Sequence, residues 1–167
     1  ANLLRNAGVH FTVQAARIDE EAIKNALLAE AAAPRDIADT LAEMKARKVA
    51  DKFPEAMVIG CDQVLAFDGA ILSKPTSPEV AGEQLRMMRG QRHMLLSAAV
   101  IYHEGKPVWR HIGQVRLRMR DVSDAYLESY ISRNWDDIQH AVGAYQLEAE
   151  GVRLFHGIEG DYFNVLG

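Results

Sequence analysis

The sequence predicts an α/β fold, and three observations carry that reading. Helix-type and strand-type patterns alternate from the start: Leu3, Leu4 and Gly8 read as the end of a helix with its C-cap glycine, and Val9 to Val13 alternates as a short strand does. Met94 to Tyr102 is a nearly continuous apolar run, the composition of a central strand covered on both faces. The third is the stretch Val58-Ile59-Gly60-Cys61-Asp62-Gln63-Val64, where an apolar run ends in two small residues before its first charged group. Asp62 is therefore expected at the carboxyl end of a buried strand, where open α/β sheets present ligand groups.

Length and composition bound the rest. The 167 residues suffice for one domain or for two small lobes sharing a sheet, and 49% hydrophobic content can build a core. A formal net charge of -4 argues against a general nucleic-acid or anionic-membrane binder, so neither partner is expected. One cysteine excludes an internal disulfide and points to a reducing compartment, with the cytoplasm as default. No segment has the length or flanks of a membrane span or signal peptide. Both ends read as incomplete: the chain starts without Met in a helix-like stretch and stops straight after an apolar strand.

Taken in order, Asp19, Glu20 and Glu21 open a helical run through Ala31, where first-turn acids suit the helix dipole. Pro34 begins a second helix, and Ala38, Ala42, Lys45 and Val49 follow at helical spacing. Lys45 thus borders the apolar stripe, either lifting its ammonium into water or reaching a phosphate. Asp68-Gly69 reads as a two-residue hairpin turn pairing Phe67 with Ala70, Leu65 with Leu72 and Gln63 with Lys74. Asp62 and Lys74 are then near neighbours that face opposite ways in an ideal ladder, so convergence needs a bend or bulge near Gly60.

Ser77-Pro78-Glu79 starts the next helix and Gly90 closes it, with Val80, Ala81, Leu85 and Met88 as core. His93 reads as a strand-edge residue. After a turn at Glu104 to Pro107, Trp109 to Arg120 is one or two strands, whose Arg116, Arg118 and Arg120 form either a solvated outer face or a surface for phosphates or a partner. Ser123 caps a helix carrying Leu127, Tyr130 and Ile131, and Trp135 to Ala141 is a short helix or loop. Gly143 to Glu148 leads to a last strand, Val152 to Phe155, and Gly157 to Asp161 is a turn before the apolar Tyr162 to Val165.

The usual catalytic signatures are missing: there is no phosphate loop, GxGxxG, zinc-type spacing or nucleophile elbow, and the six histidines are scattered. Cys61 has no adjacent base and is expected as a small buried packing residue. What remains is a set of carboxylates, Asp62, Glu20 and Glu148, and lysines, Lys45 and Lys74, on different elements. Together they suit a hard oxygen-ligated cation and a phosphate chain; singly, each is also an ordinary surface charge.

Five pieces then fall in a specific order: Ile59-Gly60-Cys61-Asp62, Ser73-Lys74-Pro75, Leu85 with Gly90 and His93, Gly143-Ala144-Tyr145, and Gly160-Asp161-Tyr162-Phe163-Asn164-Val165-Leu166-Gly167. They match the I-G-x-D, G-K-P, L-x-x-x-x-G-x-x-H, G-x-Y and G-D-x-x-N-x-x-G pieces of the Maf nucleotide pyrophosphatases, which the chain resembles over nearly its whole length. The resemblance implies an elongated mixed β-sheet flanked by helices, two lobes with a cleft between them, and a single domain over 1–167. It also implies cleavage of a nucleoside triphosphate to monophosphate and pyrophosphate with Mg²⁺ or Mn²⁺, by a homodimer. A Ser- and Arg-rich S-x-S-x-R stretch that holds phosphates is expected ahead of Ala1.

By this resemblance Asp62 matches the proposed proton acceptor. Lys74 matches the G-K-P lysine, with Ser73 in place of glycine, and Lys45 the lysine of L-A-x-x-K-A. Glu20 matches the acid of a D-E pair, which makes Asp62 and Glu20 the expected metal ligands. Gln63 and Glu148 stand where the dTTP and UTP branch has threonine and glutamine, and they resemble the 7-methyl-GTP branch instead. A carboxylate such as Glu148 can accept hydrogen bonds from guanine N1–H and N2–H and complements a methylated purine's positive charge. Gln63, Glu148 and Glu20 are thus the expected substrate-binding residues. The competing expectations are a dTTP/UTP pyrophosphatase of the same family, a purine pyrophosphatase of the inosine-triphosphate type, and a non-catalytic nucleotide-binding regulator of cell division.

Overall fold

The computed structural model describes residues 1–167. In chain order the elements are α1 (Asn2–Asn6), α2 (Glu20–Ala29), α3 (Pro34–Ala50), β1 (Val58–Phe67), β2 (Ala70–Leu72), α4 (Pro78–Met88), β3 (Arg92–His103), β4 (Lys106–Met119), α5 (Asp124–Ile138), a 3₁₀ turn (Glu150–Leu154), β5 (Phe155–Glu159) and α6 (Tyr162–Leu166). The five strands form one sheet in the order β2-β1-β3-β4-β5, so the α/β expectation holds. Its outermost pairs, β1 with β2 and β4 with β5, are antiparallel.

Local chemistry sets several of these boundaries. Pro34 and Pro78 stand in first turns, where a missing N–H costs nothing. Ser77 and Ser123 cap α4 and α5 by accepting the N–H groups of Val80 and Tyr126. Asp68 and Gly69 both take positive φ, 47° and 77°, as a tight hairpin requires. The register is the expected one at Phe67 with Ala70 and Leu65 with Leu72, and there the ladder stops. The expected Gln63–Lys74 pair is not formed, because β2 ends at Leu72. Pro75 has no N–H and biases the residue before it, and the Ser73 carbonyl accepts from the Gln84 side chain at 2.9 Å.

The chain divides into two compact units, Ala1–Asp62 with Ala98–His111, and Gln63–Ser97 with Ile112–Gly167. In the first, α3 turns Ile37, Ala38, Leu41, Ala42, Ala46 and Ala50 inward. Gly60 of β1 lies against that face: a methyl group there would collide with the Ala42 carbonyl and come within 2.5 Å of the Ala46 nitrogen. The missing side chain is what lets helix and strand approach, a role distinct from the anticipated bend. In the second unit one core gathers Leu65, Leu85, Leu95, Leu117, Tyr130 and Leu154 among others. β4 feeds it by strict alternation, with Val115, Leu117 and Met119 buried and Arg116 and Arg118 exposed.

Several local expectations fail for identifiable reasons. Val9 to Val13 is exposed and joins no strand, since alternation without a neighbour to pair with makes no sheet. Trp135 lies inside α5, which runs unbroken to Ile138. Residues 152–154 belong to the 3₁₀ turn, and Tyr162 to Val165 is helical, with β5 lying between them. Runs of four apolar residues do not separate helix from strand. Here Asp161 decides, its carboxylate accepting the Phe163 N–H at 2.7 Å as the cap of α6. No helix is long and apolar enough to cross a membrane.

Candidate active site

Three of the expected site residues come together in the first unit, each delivered by a different element. Asp19 caps α2 by accepting the Ala22 N–H at 3.0 Å, which makes Glu20 the first helical residue. The small residues of α3 pack over Gly60, and Lys45 on that helix reaches Asp62 of β1. The Lys45 Nζ lies 2.6 Å from Asp62 Oδ1 and 3.0 Å from Glu20 Oε1. The ammonium against Asp62 is thus that of Lys45. The Asp62 side chain is only 9% exposed and that of Lys45 20%, so the pair is weakly screened; Glu20, at 49%, is the solvent end of the triad.

Electrostatics follow from this placement. Desolvation is the largest single influence on Lys45 and lowers its pKa, but the hydrogen bonds and charges of Asp62 and Glu20 outweigh it. The net shift is upward, so Lys45 remains an ammonium at neutral pH. Cys61, expected to be buried, is exposed at the residue level. Desolvation around its sulfur nevertheless raises the thiol pKa, which disfavours the nucleophilic thiolate.

Gln63, Lys74 and Glu148 belong to the second unit. The Gln63 side-chain NH₂ lies 2.8 Å from Ser97 Oγ, 3.0 Å from the Asn164 carbonyl and 3.1 Å from the Val165 carbonyl. Lys74 is exposed just beyond β2, beside the buried Pro75. Glu148 is exposed in the segment before the 3₁₀ turn. Its neighbour Glu150 is instead engaged by Arg133 at 2.6 Å and by Asn134 at 2.9 Å. Those hydrogen bonds hold the Glu150 carboxyl down at about 2.

Two interactions in this unit escaped the sequence reading. His93, placed there at a strand edge, is 2% exposed within β3, with Nε2 2.8 Å from the Tyr145 hydroxyl and Nδ1 unpartnered. Burial pushes its pKa down to about 4, and burial likewise holds the Tyr145 phenol far above its ordinary value. The second is Ser97, which donates to the Asn164 carbonyl at 2.5 Å. A signal existed for it: Ser97 is the lone hydroxyl inside the apolar run Leu95 to Ile101, and a buried hydroxyl needs a partner.

The donor set bears on the expected cation. A hard divalent ion takes one or two carboxylates and completes its shell with phosphate oxygens and water. Glu20 and Asp62 supply two carboxylates around the Lys45 ammonium, and no group of three or more His, Cys, Asp or Glu side chains forms a metal cage. The residues fit a cation shared with a phosphate chain and do not fit an all-protein site.

Comparison with known proteins supplies the family. A family model described as "Maf-like protein" matches residues 1–167. A Ruegeria pomeroyi protein named nucleoside triphosphate pyrophosphatase is 69% identical over 167 residues, covering 100% of this chain and 84% of the relative. A Caulobacter vibrioides protein of the same name is 48% identical over 165 residues, covering 99% and 82%. A Brucella abortus protein named 7-methyl-GTP pyrophosphatase is 44% identical over 165 residues, covering 99% and 83%. With the family match running from the first residue to the last and such relatives aligned along all of it, this chain belongs to the Maf family.

Proposed function

We propose that the chain is a nucleoside triphosphate pyrophosphatase whose substrate is 7-methyl-GTP, hydrolysed to 7-methyl-GMP and pyrophosphate. The names of its relatives at 69% and 70% identity support the reaction class. The observation that carries the catalytic reading is the Lys45 ammonium held between Asp62 and Glu20 at 2.6 and 3.0 Å. A lysine held as the ammonium at neutral pH is the kind of group that binds and neutralises phosphate oxygens.

In this reading a water attacks the α-phosphorus, the bond from that phosphorus to the α–β bridging oxygen breaks, and pyrophosphate leaves with that oxygen. Asp62, hydrogen-bonded by the Lys45 ammonium, orients the water and receives its proton. Lys45 and the exposed Lys74 neutralise charge on the phosphates. Asp62 and Glu20 would hold Mg²⁺ or Mn²⁺, which would supply further charge neutralisation.

The base assignment rests on Glu148 and on the Brucella relatives at 44% and 43% identity. Glu148 is exposed and forms no ion pair, while Glu150 is committed to arginines. An unengaged carboxylate can accept from guanine N1–H and N2–H, whereas uracil and thymine present one N–H. The test is pyrophosphate release from 7-methyl-GTP, GTP, UTP and dTTP with Mg²⁺ or Mn²⁺. A higher kcat/KM for 7-methyl-GTP is expected; a clear pyrimidine preference overturns the assignment. The family resemblance suggests a homodimer, and sedimentation tests that part of the proposal.

A further inference from the structure

We propose that one face of α5 is a positioning device for Glu148: Tyr130, Arg133 and Asn134 grip the two ends of the segment 144–150 and so fix where the carboxylate between them stands. This role rests on the proposed function, in which Glu148 receives the guanine edge, and it names the residues that hold Glu148 in place. Tyr130, Arg133 and Asn134 are spaced i, i+3 and i+4 and therefore line one face of the helix. The Tyr130 hydroxyl donates to the Ala144 carbonyl at 3.2 Å. One turn on, Arg133 meets the Glu150 carboxylate as a fork, Nη2 at 2.6 Å from Oε1 and Nε at 3.3 Å from Oε2. The Asn134 amide uses both of its N–H bonds, one on the Tyr130 carbonyl at 2.8 Å and one on Glu150 Oε2 at 2.9 Å.

The segment needs such holding. Residues 144–149 belong to no strand or helix, and the entry is bent: Gly143 and Ala144 take positive φ in succession, 78° and 57°. That conformation is unfavourable for alanine and persists only where the surroundings impose it. Tyr145 and Leu147 are buried, whereas Glu148 and Ala149 stand at the surface. At the exit Gly151 lies so close to the Gln146 backbone that any Cβ would collide with it. Arg153 also stands 3.6 Å from Glu150, but it belongs to the same 3₁₀ turn and cannot tie that turn to α5. Arg133 can, and Ser129 of the same helix in turn accepts one of its N–H groups.

The test compares Arg133→Met, which keeps length and removes the fork, with Arg133→Lys, which returns one charged donor, each made with Glu148 present and in a Glu148→Ala background. Hydrogen exchange of the peptide covering residues 145–152, which needs no substrate, is measured beside kcat and KM for 7-methyl-GTP and UTP. Arg133→Met should exchange about fivefold faster there and raise KM for 7-methyl-GTP about fivefold, with kcat and the KM for UTP within about twofold of wild type, as an exposed bidentate pair allows. Arg133→Lys should recover part of both effects. In the Glu148→Ala background Arg133→Met should change the ratio of the two KM values by less than about twofold, because the carboxylate being placed is gone. Wild-type exchange in Arg133→Met overturns the proposal. So does an equal loss for both nucleotides, the signature of a merely structural role, or a changed ratio that survives Glu148→Ala. A parent enzyme that prefers UTP, or a Glu148→Ala protein with its parent's base preference, overturns the base assignment instead; faster exchange at 145–152 then still supports the grip of α5 on the segment, and wild-type exchange overturns it.

Discussion

His93 should make the protein acid-labile in a pH range where most carboxylates are still ionised. The side chain is 2% exposed and its pKa is pushed down to about 4 from an ordinary 6.5, with burial as the cause. The native state holds it neutral, and the unfolded chain protonates it near 6.5. Between these values the unfolded state binds the extra proton, so stability falls as pH falls; above 6.5 and below 4 the contribution is flat. The full span of the shift corresponds to roughly 3 kcal/mol, and the part lost between about pH 7.5 and pH 5 is about 2 kcal/mol.

The measurement is urea unfolding at those two pH values for wild type and for His93→Gln, which offers an amide to the Tyr145 hydroxyl and does not titrate. Differences between the two proteins cancel the remaining ionisable groups. The wild type should lose about 2 kcal/mol more than the variant on acidification. Parallel losses would show that His93 is either protonated in the fold or solvated, and the reasoning from its burial would be wrong.

Three further outcomes follow from the first unit. Lys45→Met removes the ammonium 2.6 Å from the 9%-exposed Asp62 carboxylate and should destabilise by roughly 3 kcal/mol in chemical denaturation, with a matching drop in pyrophosphate release; an unchanged midpoint would mean the pair is solvated. Gly60→Ala drives a methyl group into the Ala42 backbone and should cost about 3 kcal/mol, on the order of a 10 °C lower Tm by calorimetry. Asp62→Asn preserves shape and removes the proton acceptor, so turnover should fall at least about 100-fold while the fold, followed by circular dichroism, persists; wild-type turnover would sink Asp62 as the acceptor.

Much of the architecture was legible because it is written in local chemistry. Proline at a first helical turn, serine caps, and an Asp-Gly pair between apolar runs act within a few residues, and each produced the expected boundary at Pro34, Ser77, Ser123 and Asp68. The alternation of Val115, Leu117 and Met119 against the arginines likewise needs only the period of a strand. Where local signals were short, as at Val152 to Phe155 and Tyr162 to Val165, the sequence read as strand, whereas residues 152–154 form the 3₁₀ turn and Tyr162 to Val165 is helical. A single carboxylate at Asp161 outweighed the apolar pattern there.

By itself, then, the sequence determined the fold class and carried the ordered family motifs, whose resemblance is what singled out Asp62, Lys45 and Glu20 as candidates, because motif order survives without coordinates. Which ammonium meets Asp62 was decided only by tertiary packing: Gly60 admits α3 against β1, and Lys45 arrives across 17 residues of chain. The partners of Gln63 were equally out of reach, since they lie 34, 101 and 102 residues away. His93 gives the same lesson, its hydrogen-bond partner standing 52 residues off and its neutrality coming from burial. Contacts of that range depend on how strands are ordered in the sheet, which no local pattern of side chains encodes.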